Sequence, residues 1–211
     1  NPVNLGPHWM NGQEVAIRLM AFVWADRVFE TASVSSAERR AVLHRSIGQH
    51  AERIMLTRVY ARAQNNNHLI TEAAALYTAG LFFKNKTWRE LGWHWLNWCF
   101  QNQIGDFGEY IQHSANYHRL MLQTALWVNL IKQDVFSAHT SQAIARSAHW
   151  LFSLLDNASG RTPNLGANDG ALIFPLSATA FDDYRPTVQA AARAFLRTSL
   201  ESGVWDEMSL W

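Results

Sequence analysis

The chain has 211 residues, nearly half of them apolar and few of them charged, enough to bury a sizeable core as one domain. Its 18 basic and 17 acidic residues leave a formal charge of +1, which argues against a broad basic face for nucleic acid, so any polyanion has to be held locally. No apolar run is long and uncharged enough to span a bilayer, no signal peptide is present, and the single Cys99 allows neither an internal disulfide nor a cysteine-based metal site.

In chain order, Asn1 to Gly12 carries two prolines and two glycines and reads as a loop docked by Trp9. Gln13 to Glu30 places Ile17, Met20, Phe22, Val23 and Trp24 as a helix buried on more than one side would. Ser35 with Glu38 makes a capping box that opens a long helix to about Arg62, with Val42, Leu43, Ile47, Ile54 and Val59 inward. A third helix runs from about His68 to Phe83, and its Ala73, Ala74, Ala75 and Gly80 permit close approach of a neighbour. Thr87 with Glu90 opens a fourth, ending near Gln103, whose Trp88, Trp93, Trp95 and Trp98 are mostly core residues by their spacing. Helices from about Asn116 to Gln133 and about Ser137 to Leu155 follow. Asn157 to Phe181 holds Gly160, Pro163, Gly166, Gly170 and Pro175 and reads as a long ordered loop, after which Pro186 opens a last helix through about Leu200.

No segment alternates as a strand does, so the fold class is all-α: antiparallel helices in a bundle, a solenoid or an α/α toroid. The chain starts without an initiator Met and ends on the apolar run Met208 to Trp211, and so reads as a piece of a longer protein.

Polarity gathers at two helix mouths. Gln64, Asn65, Asn66, Asn67 and His68 stand before the apolar third helix, and Ser114, Asn116, Tyr117, His118 and Arg119 open the fifth. If neighbouring helices present both mouths on one face, Asn67 with His68 and Tyr117 with His118 and Arg119 converge on one ligand. Taken by themselves, Asn65 to Asn67 are equally well a turn and a cap, and Tyr117 a packed ring with a wet hydroxyl, flanked by solvent-facing His118 and Arg119. His44 with His50 and His113 with His118 lack metal-ligand spacing, so no metal site is assigned.

Four segments in one order resemble the heparinase II/III-like polysaccharide lyases. Gly6 to Arg18 is similar to that family's opening segment, Asn66, Asn67 and His68 with Glu72 to its amide-histidine motif, and Asn116 to Arg119 to its tyrosine motif. Gly166 to Gly170, on to Pro175 and Leu176, is similar to a later loop. The resemblance implies an incomplete α/α toroid, the helical domain of a periplasmic or secreted lyase whose C-terminal β-sandwich domain is not in this chain. It implies no cofactor.

Such an enzyme cleaves at C4 of a uronic acid by β-elimination: a base takes the C5 proton and the C4 oxygen leaves with a proton. The C5 proton is weakly acidic, so hydrogen-bond donors are needed around the uronate carboxylate as charge develops. Asn67 and His68 have that chemistry. The resemblance makes Tyr117 the acid for the leaving oxygen, with the base open among Tyr117, His68 and a residue of the absent domain. Tyr117 takes the C5 proton itself only as a phenolate, which requires nearby positive charge, for which Arg119 and His118 are the sequence neighbours. Asn66, His118, Arg119, Glu72 and Trp9 are expected to bind the acidic polysaccharide. Two rival functions fit the same chain: a toroid glycoside hydrolase using Asp106 or Glu109 with Asp169, although Asp169 reads first as a turn residue, and a binding module for acidic glycans without chemistry.

Overall fold

A computed structural model describes residues 2–210; Asn1 of the opening loop and Trp211 of the closing apolar run lie outside it, as does the Leu210 side chain. Among the described residues the chain is all-helical, as expected, and no strand is present. The helices are α1 (Gly12–Val28), α2 (Ala37–Gln64), α3 (Asn67–Phe82), α4 (Lys86–Asn102), α5 (Ala115–Ile131), α6 (Ala138–Leu154) and α7 (Arg185–Ala191). Short 3-10 turns lie at Pro7–Trp9 and Val204–Leu210, and a π-helical turn over Ala192–Leu196 follows α7. None of the described helices is long and apolar enough to cross a membrane.

The helix starts share one chemistry. Asn11, Ser36, Asn66, Ser114 and Ser137 each accept a backbone N–H at the mouth of α1, α2, α3, α5 and α6, and Asn85 does so for α4 through the Trp88 N–H at 3.1 Å. A short side-chain oxygen satisfies a donor that the first helical turn leaves open. Two expected caps are therefore displaced: Ser36 and Asn85 do the work assigned to Ser35 and to Thr87 with Glu90.

The chain divides into two compact units between Leu96 and Asn97, inside α4. In the first, α1 packs on α2 and α3, and α3 is buried on every side from Leu69 to Gly80. Its alanines suit both that burial and the helix. The ends of α3 and α4 come so close that a Cβ on Gly80 would stand 2.3 Å from the Arg89 nitrogen, and one on Gly92 would stand 2.4 Å from the Tyr77 nitrogen. Bare backbone thus meets backbone at both points. Buried Asp26 of α1 accepts from Arg40 at 3.0 Å and pairs with His44 at 2.9 Å, both on α2. Burial alone would raise its carboxyl, but the hydrogen bonds from Arg40 and His44 outweigh burial and hold it below the usual value.

α2 is a 28-residue rod of which only a narrow stripe, including Ile47, Ala51 and Ile54, is buried. Val42 and Val59, expected inward, are exposed, because at 3.6 residues per turn both lie on the side of the helix away from the stripe of Ile47, Ala51, Ile54 and Ala61. The four tryptophans of α4 are half-buried rather than core: Trp93 packs on Tyr77, and the Arg62 guanidinium lies 4.6 Å over Trp95.

In the second unit α5 is the spine. Leu120, Met121, Leu122, Ala125 and Val128 are buried, and α6 and α7 pack on it. The long loop is ordered along α5: the Ala115 N–H donates to Leu165 O at 3.0 Å, the Ile173 N–H to Gln123 Oε1 at 2.9 Å, and Phe174 stacks on Trp127 at 4.7 Å. The last helix is shorter than its pattern predicts. Arg197, with φ of 55°, ends the π-helical turn, and the Gln189 side chain is taken up by the backbone of Leu200 and by Asp206.

Candidate functional site

The residues singled out from the sequence fall into two sets. Trp9, Asn66, Asn67, His68 and Glu72 belong to the first unit, and Tyr117, His118 and Arg119 to the second. Each set has its own surroundings.

At the mouth of α3 the amide run divides its labour. Asn65 takes the left-handed conformation at φ 46°, ψ 53° and ends α2 through its N–H on Ala61 O, which asparagine tolerates better than most residues. The Asn66 side chain accepts the His68 N–H at 2.9 Å and starts α3. Turn and cap therefore account for two of the three asparagines, and Asn66, expected to bind substrate, has its side-chain oxygen on the backbone. Asn67 is buried and His68 half-buried.

Glu72 stands one turn further along α3, 4 % exposed. Its Oε2 is buried and meets no hydrogen-bond donor, and its Oε1 lies 2.3 Å from where a Cβ on Gly12, the first residue of α1, would be. Burial without a cation pushes the carboxyl up to about 7. The side chain also borders a cavity of about 20 Å³ between Arg58, Arg62, Leu69, Leu76 and Trp95. Trp9 docks the opening segment as expected: it is buried, its ring is 4.6 Å from His50, and its carbonyl accepts from Arg53 at 3.0 Å.

At the mouth of α5, Ser114 does two things at once. Its Oγ accepts the Tyr117 N–H at 3.1 Å and donates to Ala167 O at 2.6 Å, so the cap of the helix is also the tether of the loop. Gly166 makes this possible: its φ is 65°, and a Cβ there would stand 2.4 Å from His113 O. The tethered loop brings Asp169 to Tyr117, whose half-exposed hydroxyl donates to Asp169 Oδ2 at 2.8 Å across 52 residues of sequence. The other oxygen, Oδ1, accepts the Ala171 N–H at 3.0 Å, so Asp169 is the turn residue its Gly-flanked setting predicts and a partner of Tyr117 as well. Burial raises the Tyr117 phenol above its ordinary value, and the hydrogen bond to Asp169 and that residue's charge raise it further.

His118 and Arg119 do not supply the positive charge that a resting phenolate requires, and neither faces solvent. His118 is buried, its Nε2–H donates to Ser147 O at 2.8 Å, and its ring stacks 4.6 Å from Trp150. Burial pushes it down to about 4, against the pull of that carbonyl, so the ring is neutral. Arg119 is 2 % exposed, and burial lowers its guanidinium from the ordinary value against the opposing pull of Tyr184 and Asp182. Its Nη2 donates to Asn116 Oδ1 at 2.8 Å and its Nη1 to Phe181 O, while the Phe181 and Tyr184 rings lie 4.3 and 4.2 Å from the guanidinium. A cavity of about 50 Å³ bordered by Gln123, Ser177, Thr179 and Met208 adjoins it.

Of the carboxylates named for a hydrolase, Glu109 accepts the Phe107 N–H of its own loop at 3.1 Å, Asp106 is exposed, and Asp169 is held by Tyr117. Asp169 as the partner of Tyr117 is the residue that sequence reasoning missed; the Asn168-Asp169-Gly170 run signals a turn and carries no sign of what the turn touches.

No curated protein and no solved structure matches this chain. The sequence profile described as Heparinase II/III N-terminus matches residues 8–149, which include both helix mouths and the whole of α1 to α5. A match over more than half of its length places the chain in that family: it is a heparinase II/III-like protein, of the family's helical N-terminal part, and related to polysaccharide lyases.

Proposed function

We propose that this chain is the helical, incomplete α/α toroid part of a periplasmic or secreted lyase that cleaves a uronate-containing acidic glycan by β-elimination. In this proposal Tyr117 is the acid: its Oη proton goes to the C4 oxygen as the C4–O bond breaks and that oxygen keeps the bonding pair. The C5–H pair forms the C4–C5 double bond, and the C5 proton goes to a base. Asn67 and His68 hydrogen-bond the uronate carboxylate, so that charge building up at C5 and the carboxyl is spread onto fixed donors. Trp9 and Glu72 shape the mouth of α3, and buried His118 and Arg119 fix the backbone that presents Tyr117. A β-sandwich domain from the same protein completes the enzyme.

The observation that carries the proposal is Tyr117 itself, a protonated phenol with a half-exposed hydroxyl at a helix mouth pinned by Ser114. Family membership supplies the reaction class.

The test is ultraviolet absorbance of the full-length protein incubated with a panel of uronate polysaccharides, wild type beside Tyr117→Phe. Growth of the unsaturated-uronate band in wild type alone is the expected result. New reducing ends without that band would transfer the chain to the hydrolases, and binding of a polymer without either product would make it a glycan-binding module.

A further inference from the structure

The contact between Tyr117 and Asp169 is built rather than incidental. Three independent restraints fix the segment that carries the carboxylate. Ala115 N–H binds Leu165 O, Ser114 Oγ binds Ala167 O, and the close approach of Gly166 to His113 leaves no room for a side chain. The carboxylate is itself turned by its Oδ1 bond to the Ala171 N–H, which leaves Oδ2 for the phenol. The two side chains that follow Tyr117 in sequence are directed elsewhere: neutral His118 toward Ser147, and Arg119 toward Asn116 and Phe181. Asp169 is the charged group that acts on the Tyr117 hydroxyl among the described residues.

From this geometry we infer that Asp169 is the positioning residue of Tyr117: its carboxylate aims the phenolic O–H and keeps it in the donor form. The inference rests on the proposal that Tyr117 is the acid. A carboxylate accepts and does not donate, so it stabilises the phenol with its proton in place and opposes a phenolate 2.8 Å away. Resting Tyr117 therefore cannot be the base, and the C5 proton has to go to another group. In turnover the O–H turns from Oδ2 to the C4 oxygen and gives up its proton there. The phenolate left behind, made more basic by the facing carboxylate, recovers a proton from water before the next cycle.

The experiment follows the phenol directly. Tyrosines labelled with ¹³C at Cζ give a resonance for each of the five tyrosines, and the one lost in Tyr117→Phe is assigned. Its titration midpoint is compared in wild type, Asp169→Asn and Asp169→Ala, with Asp169→Glu as the conservative rescue. Removing the facing charge is expected to lower the midpoint by about one pH unit or more, with Glu restoring it at least in part. If full-length protein forms unsaturated product, the alkaline limb of kcat/KM moves down with the midpoint. An unmoved Tyr117 midpoint in both the Asn and the Ala variant overturns the assignment of Asp169. Loss of product in Tyr117→Phe alongside that unmoved midpoint would leave the lyase proposal standing, so the two failures are distinct.

Discussion

Tyr117 Oη and Asp169 Oδ2, 52 residues apart in sequence, lie 2.8 Å apart because one serine hydroxyl both caps α5 and tethers the loop. Removing the Tyr117 hydroxyl leaves the ring in place, and its partner Asp169 is already exposed and can turn to water instead. Tyr117→Phe should therefore cost about 1 kcal/mol of stability or less, the net value of one hydrogen bond. A urea melt checks this, and a larger loss would mean that the phenol is structural rather than displayed for chemistry.

Ser114 makes a stronger demand. Ser114→Ala removes a helix cap and the tether to Ala167 together, and the combined loss should be about 2 kcal/mol. The loop should also loosen: faster hydrogen exchange at the Ala115 N–H, which binds Leu165 O, is the expected local sign.

Glu72 should make the protein less stable at neutral pH than in mild acid. Its carboxyl ionises near 4.5 when the chain is unfolded and near 7 when folded, so between those values the unfolded state has already lost a proton that the folded state keeps. Stability then falls as pH rises through that window, by on the order of 3 kcal/mol in all, and no further above it. Glu72→Gln removes the ionisation. Melting curves at pH 5 and pH 8 should show the variant gaining on wild type at the higher pH; an equal difference at both would refute the assignment.

His118 acts in the opposite direction. Its folded value near 4 lies below the ordinary 6.5, so acidification protonates the unfolded chain first and stability falls as pH drops from about 6.5 toward 4. The same order of magnitude applies. His118→Gln, which can still donate to Ser147 O, should lose less stability than wild type between pH 7 and pH 4.5.

Gly92→Ala should be harmful although alanine is the better helix former. The added Cβ would stand 2.4 Å from the Tyr77 nitrogen and 2.8 Å from Ala73 O. Displacing backbone at a packed contact costs up to about 3 kcal/mol, against about 1 kcal/mol gained in propensity. Gly48→Ala in α2 is the control: the nearest atom, on Phe83, is 3.8 Å away, and that variant should be stabilised. Equal behaviour of the two would show that α3 and α4 can separate at no cost.

Helix placement was legible in the sequence because apolar spacing and Asn or Ser at helix starts are local signals. Ser36 and Asn85 were missed where a neighbouring hydroxyl offered a competing cap, and only the path of the backbone decides between adjacent candidates. Val42 and Val59 are exposed because they lie off the stripe of Ile47, Ala51, Ile54 and Ala61, and in a helix this long with scattered apolar residues only the packing of α1 and α3 selects which stripe is covered. Asn65 and Asn66 could be read as turn and cap, and they are. Burial of His118 and Arg119 could not be read, since what removes them from water is Ser147, Trp150 and Phe181, at least 29 residues away. The Asp169 contact is invisible for the same reason: an Asp in a Gly-flanked loop announces a bend, and its distant partner leaves no mark on the local pattern.

The bare-backbone contacts at Gly80 and Gly92 bear on the far end of the same helix. At 1.5 Å per residue, Gly80 lies about 18 Å along the axis from His68. Gly92 reaches the same helix nearer its start, with Ala73 O only 2.8 Å from where its Cβ would be, so the two missing side chains fix α3 over half of its length. The position of His68 at the helix mouth is thus set in part by two glycines that it never meets.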